Sequence, residues 1–96
     1  MSTLEQLVEH QARFDYILIE TTGLANPGPV ITTFWTDDEL HSSLKLDGVI
    51  CLVDCHNIEN YLHSNDISNE VSMQICYADR IIMNKIELCT LQQVII

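Results

Sequence analysis

Two short stretches of this 96-residue chain combine residue types that can bind a nucleotide. In the first, an apolar run ends at Glu20, and Gly23 follows three positions later. A carboxylate at the end of a strand can hold Mg²⁺, usually through water, and a glycine amide just beyond it can reach a terminal phosphate because no side chain blocks the approach. This pattern is moderately specific by itself, and it makes both residues candidates for phosphate chemistry.

The second stretch, residues 81–88, is an apolar run that continues into Asn84, Lys85 and, two positions further, Glu87. An asparagine amide can contact a purine ring, a lysine stem can lie over its face, and an acid can accept hydrogen bonds from the N1 and N2 donors of guanine. Adenine lacks this pair of donors and would leave the acid unpaired, which costs free energy in a binding site. The spacing therefore predicts guanine recognition by these three residues and disfavours an ATP-binding relative.

Three apolar runs predict the strands that position these groups: residues 16–19, 49–53 and 81–83. Each run is apolar on both faces, as is typical of strands buried in a parallel sheet. The segments between them have capping residues and apolar positions at helical spacing, so helices alternate with strands. The sequence predicts an α/β fold in which a parallel sheet has flanking helices.

Two of the predicted helices carry positions that we expect in the core. Pro29 can begin a helix, because its fixed backbone angle suits the first helical turn. Phe34 and Trp35 on that helix are predicted to be buried, as aromatic residues at helical spacing usually are. Asn69 is predicted to cap a later helix, with Val71 on its inner face.

Each predicted strand ends in a polar residue: Glu20, Asp54 or Asn84. In a parallel sheet these positions share the carboxyl edge, where open α/β folds bind ligands. We therefore expect the two candidate motifs to meet at that edge. For Asp54 alone, a polar residue that simply begins a loop is the favoured interpretation.

The composition limits the classes of partner. Apolar residues make up 47% of the chain, which is ordinary for a globular domain with a single core. The net charge of −10 would be repelled by a nucleic-acid backbone, so no nucleic-acid partner is expected. No apolar run approaches the ~20 residues of a membrane span, so we expect no membrane association and a cytoplasmic location.

The cysteines and histidines predict no tight metal site. The four cysteines are expected to be reduced, mostly packed thiols rather than a disulfide framework. Cys55, His56 and His63 do not have the spacing of a usual structural zinc site, so packed or solvated side chains are the favoured interpretation.

Three strings carry a resemblance to a known family: residues 20–27 (ETTGLANP), residues 47–54 (DGVICLVD) and residues 84–85 (NK). In this order, over nearly the whole chain, they resemble the CobW branch of the CobW/HypB/UreG GTPase family. The resemblance implies one partial nucleotide-binding domain over residues 1–96, with a P-loop GTPase fold that binds GTP and Mg²⁺. It also implies that nucleotide state is coupled to delivery of zinc, or a related metal, to a client metalloprotein.

The resemblance assigns roles to individual residues. Glu20 matches the Walker B-like acid near the magnesium, and Gly23 matches the glycine that senses the terminal phosphate. Residues 21–27 match the switch loop that responds to GTP. Asn84 and Lys85 match the pair that recognises guanine.

The 96 residues depart from the family pattern in three ways. They contain no P-loop of the form GxxxxGK followed by Ser or Thr, and no CxCC metal-binding string. Glu87 stands where aspartate is usual, and glutamate keeps the charge but adds a methylene. We therefore expect a fold without the P-loop strand and no GTP hydrolysis by this chain alone. The alternative is a catalytically inactive remnant, or an interaction module, of the same fold.

Overall fold

The computed structural model describes residues 6, 9–10, 13–38 and 44–94. Within these ranges the elements follow one another as α1 (Gly28–Thr36), β1 (Ile50–Asp54), α2 (Ile58–His63), α3 (Ser68–Cys76), β2 (Arg80–Asn84), a 3₁₀ helix (Ile86–Leu88) and α4 (Leu91–Val94). None of the helices in the described ranges is long and apolar enough to cross a membrane.

β1 and β2 form a parallel pair, with Asp54 directly opposite Asn84. Just before the pair begins, the Val49 amide donates to the Asp79 carboxylate at 2.8 Å, and the Asp79 amide donates to the Val49 carbonyl at 2.8 Å. Parallel strands need a long crossover connection, which α2 and α3 supply. The predicted α/β fold, with a parallel sheet and flanking helices, is confirmed.

The first apolar run, residues 16–19, does not form the predicted strand. It makes no ladder with β1 or β2, and its Leu18 side chain is 96% exposed. A strand needs a neighbour to satisfy its amide and carbonyl groups, and none lies beside this run within the described ranges. The prediction that three strand ends share one edge is therefore correct for Asp54 and Asn84 and wrong for Glu20, which lies outside the sheet.

α1 begins at Gly28, one residue before the predicted start at Pro29. Its buried side includes Ile31 and Phe34, which are 5% and 6% exposed. The predicted burial of Trp35 is wrong, since its side chain is 65% exposed. Neighbouring positions on an α-helix point about 100° apart, so the face that buries Phe34 directs Trp35 away from the core.

α3 begins at Ser68, with Ile67 in the capping position, so the predicted cap Asn69 lies inside the first turn. The helix starts earlier because the Ser68 amide already donates to the Ser64 carbonyl at 3.1 Å in the preceding turn. Val71 faces the core as predicted and is 8% exposed.

The chain is more open than a compact domain of its mass. Its accessible surface is 7710 Å², whereas a folded monomer of this size exposes about 5,600 Å². Its radius of gyration is 16.2 Å, against about 12–13 Å for a compact domain of this length. Within the described ranges the buried apolar side chains are Ile31, Phe34, Cys55 and Val71.

Candidate functional site

The carboxyl edge of the sheet places the ends of β1 and β2 side by side. Asp54 and Asn84 are register partners, and the Cys55 amide donates to the Asn84 carbonyl at 3.1 Å, which extends the pairing by one residue. The Asn84 carbonyl is therefore satisfied within the sheet, whereas Asn84 as a whole is exposed. Its side-chain amide stands at the edge where the sequence predicts base recognition.

Asp54 organises this edge through three hydrogen bonds. Its carboxylate accepts from the His56 amide at 3.1 Å, from the Asn57 side chain at 3.1 Å and from the Lys85 ammonium at 3.4 Å. The Asn57 hydrogen bond lowers the pKa of the Asp54 carboxyl below its usual value; partial burial opposes this shift, while Lys85 and the His56 amide add to it. Asp54 thus holds the loop after β1 and the lysine after β2 together.

Lys85 adopts a backbone conformation that residues with a side chain seldom take. Its φ and ψ are 57° and 31°, in the left-handed region, and it is the one non-glycine residue with positive φ in the described ranges. This conformation costs roughly 1–2 kcal/mol relative to the right-handed helical one. Such strain clusters at functional sites, where the surrounding structure maintains it. Here the ion pair to Asp54 is the contact that fixes the Lys85 head group.

The turn after Lys85 presents Glu87 to solvent. The Leu88 amide donates to the Lys85 carbonyl at 3.0 Å, and the Cys89 amide donates to the Ile86 carbonyl at 3.0 Å. Glu87 sits in the middle of this 3₁₀ turn and is exposed. The structure therefore carries Asn84, Lys85 and Glu87 on one short exposed stretch at the carboxyl edge.

The predicted switch loop, residues 21–27, is held by a side chain of α3. The Gln74 amide group donates to the Gly23 carbonyl at 3.0 Å and to the Ala25 carbonyl at 2.8 Å. Within the loop, the Ala25 amide donates to the Thr22 carbonyl at 3.0 Å and closes a turn. The sequence reasoning gave Gln74 no role, because no local spacing connects it to a loop that far upstream.

Gly23 borders an open space between the switch loop and the sheet. A cavity of about 520 Å³ lies there, and its lining includes Gly23, Leu24, Leu52, Asp54, Tyr61 and Gln74. A side-chain carbon built at Gly23 would meet no atom within 4 Å. The packing of the chain therefore does not require a glycine here, and the open approach suits a ligand group. The loop and the end of β1 face the same space.

Glu20 lies apart from this arrangement. It is exposed and is not among the residues that line the cavity. No group of three histidine, cysteine or acidic side chains in the described part of the chain is placed to hold a metal ion. A single exposed carboxylate can contact Mg²⁺ through a bound water, but it does not make a complete metal site by itself.

Three relatives found by comparison with known proteins are all named for zinc, as chaperones or as a zinc-regulated GTPase metalloprotein activator. Zinc-regulated GTPase metalloprotein activator 1 of Schizosaccharomyces pombe is 49% identical over 88 residues, which cover 92% of this chain and 21% of that protein. Zinc chaperone YjiA of Escherichia coli is 36% identical over 88 residues, covering 92% of this chain and 27% of that protein. Zinc chaperone CobW of Sinorhizobium sp is 32% identical over 106 residues, covering 90% of this chain and 29% of that protein. No solved structure matches the chain.

The chain thus spans less than a third of the length of these relatives. The match to the family itself extends over residues 1–95, from before the switch loop to beyond the guanine-type motif. It includes both stretches whose residue types suggested nucleotide chemistry. This chain belongs to the CobW/HypB/UreG nucleotide-binding domain family.

Proposed function

We propose that this chain supplies the guanine-recognition and GTP-responding part of a GTPase that delivers zinc, or a related metal, to client metalloproteins. The relatives are named as zinc-regulated GTPase metalloprotein activators and zinc chaperones, and this supports the metallochaperone class. The observation that carries the proposal is the geometry of Lys85. It is held in a strained conformation at the carboxyl edge, between Asn84 and the turn of Glu87, with its head group on Asp54.

In this proposal Asn84, Lys85 and Glu87 recognise the base. The Lys85 side chain is 52% exposed while its ammonium group is bound to Asp54, which leaves the aliphatic stem accessible to a purine face. The exposed Asn84 amide can contact the ring, and the exposed Glu87 carboxylate can accept from guanine N1 and N2. Asp54 acts as a positioning residue, because it orients Lys85 and has no proposed contact with the base.

Gly23 and Glu20 would serve the phosphate end of the nucleotide. The open approach to Gly23 supports contact between its amide and the terminal phosphate. Glu20 would act through water on a Mg²⁺ ion that the nucleotide phosphates hold, since Mg²⁺ is commonly bound by one or two carboxylates together with phosphates. In this proposal none of the described residues contacts the zinc or the client protein, and the chain spans only 21% to 29% of the length of the relatives named for zinc.

Nucleotide titration followed by backbone amide chemical shifts tests the proposal. Without a P-loop we expect guanosine monophosphate to bind no more tightly than about 1 mM, which corresponds to ~4 kcal/mol. The amides of residues 84–87 should shift with guanosine monophosphate and should not shift with adenosine monophosphate at the same concentration. Lys85→Met should remove the response, and Lys45→Met, which changes an exposed lysine elsewhere, should keep it.

Equal responses to the two nucleotides would contradict guanine recognition, and so would a response that survives in Lys85→Met. The same protein, supplied with GTP and magnesium instead of a monophosphate, also tests catalysis. Phosphoryl transfer needs the β and γ phosphates held by a P-loop, its lysine and Mg²⁺. We therefore expect no phosphate release above the protein-free blank from this chain with GTP and magnesium.

A further inference from the structure

The side chain of Gln74 joins α3 to the switch loop through two hydrogen bonds. Its amide group donates to the Gly23 carbonyl at 3.0 Å and to the Ala25 carbonyl at 2.8 Å. A glutamine amide carries two N–H donors, so these contacts use its whole donor capacity. An ionised glutamate has the same shape and no donor, so the contact depends on the amide itself.

The helix that carries Gln74 is itself packed against the core. Val71 lies three positions earlier, on the same face of α3, and is 8% exposed. Helical hydrogen bonding continues past Gln74, since the Tyr77 amide donates to the Met73 carbonyl at 3.0 Å. A donor on a packed helix holds a more exposed loop in a defined position, so α3 sets the geometry of the loop carbonyls.

The bound carbonyls determine where the amides of the loop point. The peptide units here are trans and planar, so each carbonyl and the following N–H point in opposite directions. The Gly23 carbonyl points to Gln74, which directs the Leu24 amide away from α3. The Thr22 carbonyl accepts from the Ala25 amide, which directs the Gly23 amide out of the turn. Two successive N–H groups therefore face away from the contacts that hold the loop.

These two amides are available to a ligand. Neither has a hydrogen-bond partner in the part of the chain that the structure describes. Gly23 and Leu24 are exposed, and a side-chain carbon built at Gly23 would meet no atom within 4 Å. Backbone N–H groups that are oriented in advance suit an anion, because binding then needs no reordering of the loop. We propose, on the basis of the proposed function, that Gln74 is a positioning residue that directs the Gly23 and Leu24 amides to the terminal phosphate.

A positioning role differs from a purely structural one in what the loss of Gln74 would change. The contact with the Gly23 carbonyl is exposed, so water can replace the lost donor there and stability should change little. Water does not fix the direction of the carbonyl, however, so the two amides should lose their common orientation. The expected signature is a weaker phosphate response in a chain that remains folded.

Backbone amide chemical shifts of the whole chain, recorded with inorganic tripolyphosphate and magnesium, test this role. The reference is the same protein with magnesium alone. In the wild type the Gly23 and Leu24 amides should shift. Gln74→Met keeps the length of the side chain and removes both donors, so at the same tripolyphosphate concentration their shifts should fall at least about fivefold. Gln92→Met is the matched control, since Gln92 is an exposed glutamine on α4, and it should keep the wild-type response.

Two results would overturn the proposal: no response of the Gly23 and Leu24 amides in the wild type, or an equal response in Gln74→Met. Urea unfolding shows that the variants are folded. If Gln74→Met is not, Gln74→Glu replaces it, because it keeps the side-chain shape and lacks the donors, with Gln92→Glu as the control for the added charge.

The base end of the site is tested separately on the same variants. The response of residues 84–87 to guanosine monophosphate should be equal in the wild type and in Gln74→Met. Its absence from both would contradict guanine recognition, and the tripolyphosphate result would still decide the role of Gln74.

Discussion

Two regions of this molecule carry similar patterns and reach different structures. The helix–sheet body, residues 28–36 and 50–94, contains two apolar runs that form a parallel pair in fixed register. The motif segment, residues 16–25, contains a third apolar run that stays outside the sheet. Both regions have an acid directly after an apolar run. Asp54 in the body accepts three hydrogen bonds, whereas Glu20 in the motif segment is exposed.

The apolar runs reach different structures because of the strands beside them, and not because of their own sequences. An apolar run lowers its free energy as a strand only if a neighbour satisfies its amides and carbonyls, and β1 has this neighbour in β2. Residues 16–19 have none within the described ranges. The far end of the motif segment is nevertheless held, because Gln74 binds two carbonyls of the switch loop. The motif segment is therefore held at Gly23 and Ala25 by α3, whereas its apolar run at residues 16–19 has no strand beside it in the described ranges.

The largest effect should come from truncating a side chain in the core of the body. Phe34 is 6% exposed, so Phe34→Ala should lower the free energy of unfolding by about 3–5 kcal/mol. Leu18 of the motif segment is 96% exposed, so Leu18→Ala should change it by less than about 0.5 kcal/mol. Urea unfolding followed by far-ultraviolet circular dichroism measures both. A Leu18→Ala loss comparable to that of Phe34→Ala would show that the first run is packed in solution, and the contrast between the regions would fail.

Two glycines, Gly23 in the motif segment and Gly28 at the start of α1 in the body, sharpen the comparison further. A side-chain carbon at Gly28 would lie 3.1 Å from the Asn26 side-chain oxygen and 3.2 Å from the Tyr77 ring. That oxygen also accepts the Gly28 amide at 2.9 Å, so it cannot move away without losing a hydrogen bond. Crowding of this kind costs about 1–3 kcal/mol, against a gain of about 0.5–1 kcal/mol from replacing a helical glycine by alanine.

Gly28→Ala should therefore destabilise the chain by about 1 kcal/mol. Gly23→Ala, where the added carbon meets nothing, should leave stability unchanged or raise it slightly, by up to about 1 kcal/mol. Thermal unfolding of the two variants beside the wild type separates these outcomes. If Gly23→Ala were the more damaging substitution, the switch loop would be packed against other parts of the chain, and the open approach to Gly23 would be lost as an argument for ligand contact.

The sequence predicted the parts of this molecule that depend on local pattern. Strong apolar runs gave β1 and β2, and their parallel arrangement placed Asn84 at the carboxyl edge. The run at residues 16–19 has the same local pattern, but the strand predicted there is wrong, because a strand also depends on a partner elsewhere in the chain. The predicted burial of Trp35 is wrong for a related reason: helical spacing defines the faces of a helix, but it does not say which part of a face other elements cover.

The residue types of the candidate site can be predicted from the sequence, but the contacts that hold these residues in place cannot. Spacing alone makes Asn84, Lys85 and Glu87 candidates for base recognition. The left-handed conformation of Lys85 could not be predicted, because lysine has no preference for it and the surrounding contacts impose it. The sequence favours an ordinary loop residue at Asp54, because its contact with Lys85 joins positions that are far apart in the chain and leaves no local signal.

The smallest predicted effect concerns the two acids that follow the apolar runs. The pKa of the Asp54 carboxyl is lowered in the folded chain, first by the Asn57 hydrogen bond and then by Lys85. The folded state therefore binds a proton at this carboxyl less tightly than the unfolded state does. The resulting stabilisation is complete above the unfolded pKa, near 3.8, and is lost as the pH falls through the lower folded value. Asp54→Asn should therefore unfold at a lower urea concentration than the wild type at pH 7, and the difference between the two should disappear as the pH falls from about 5 to below 3.8.

Glu20→Gln is the matched control, because the exposed Glu20 carboxylate accepts no hydrogen bond in the described part of the chain, and it should leave the midpoint at pH 7 unchanged. A difference for Asp54→Asn that persists undiminished as the carboxyl is protonated would mean that the loss does not come from the charge of Asp54, and the ion pair with Lys85 would fail as its cause.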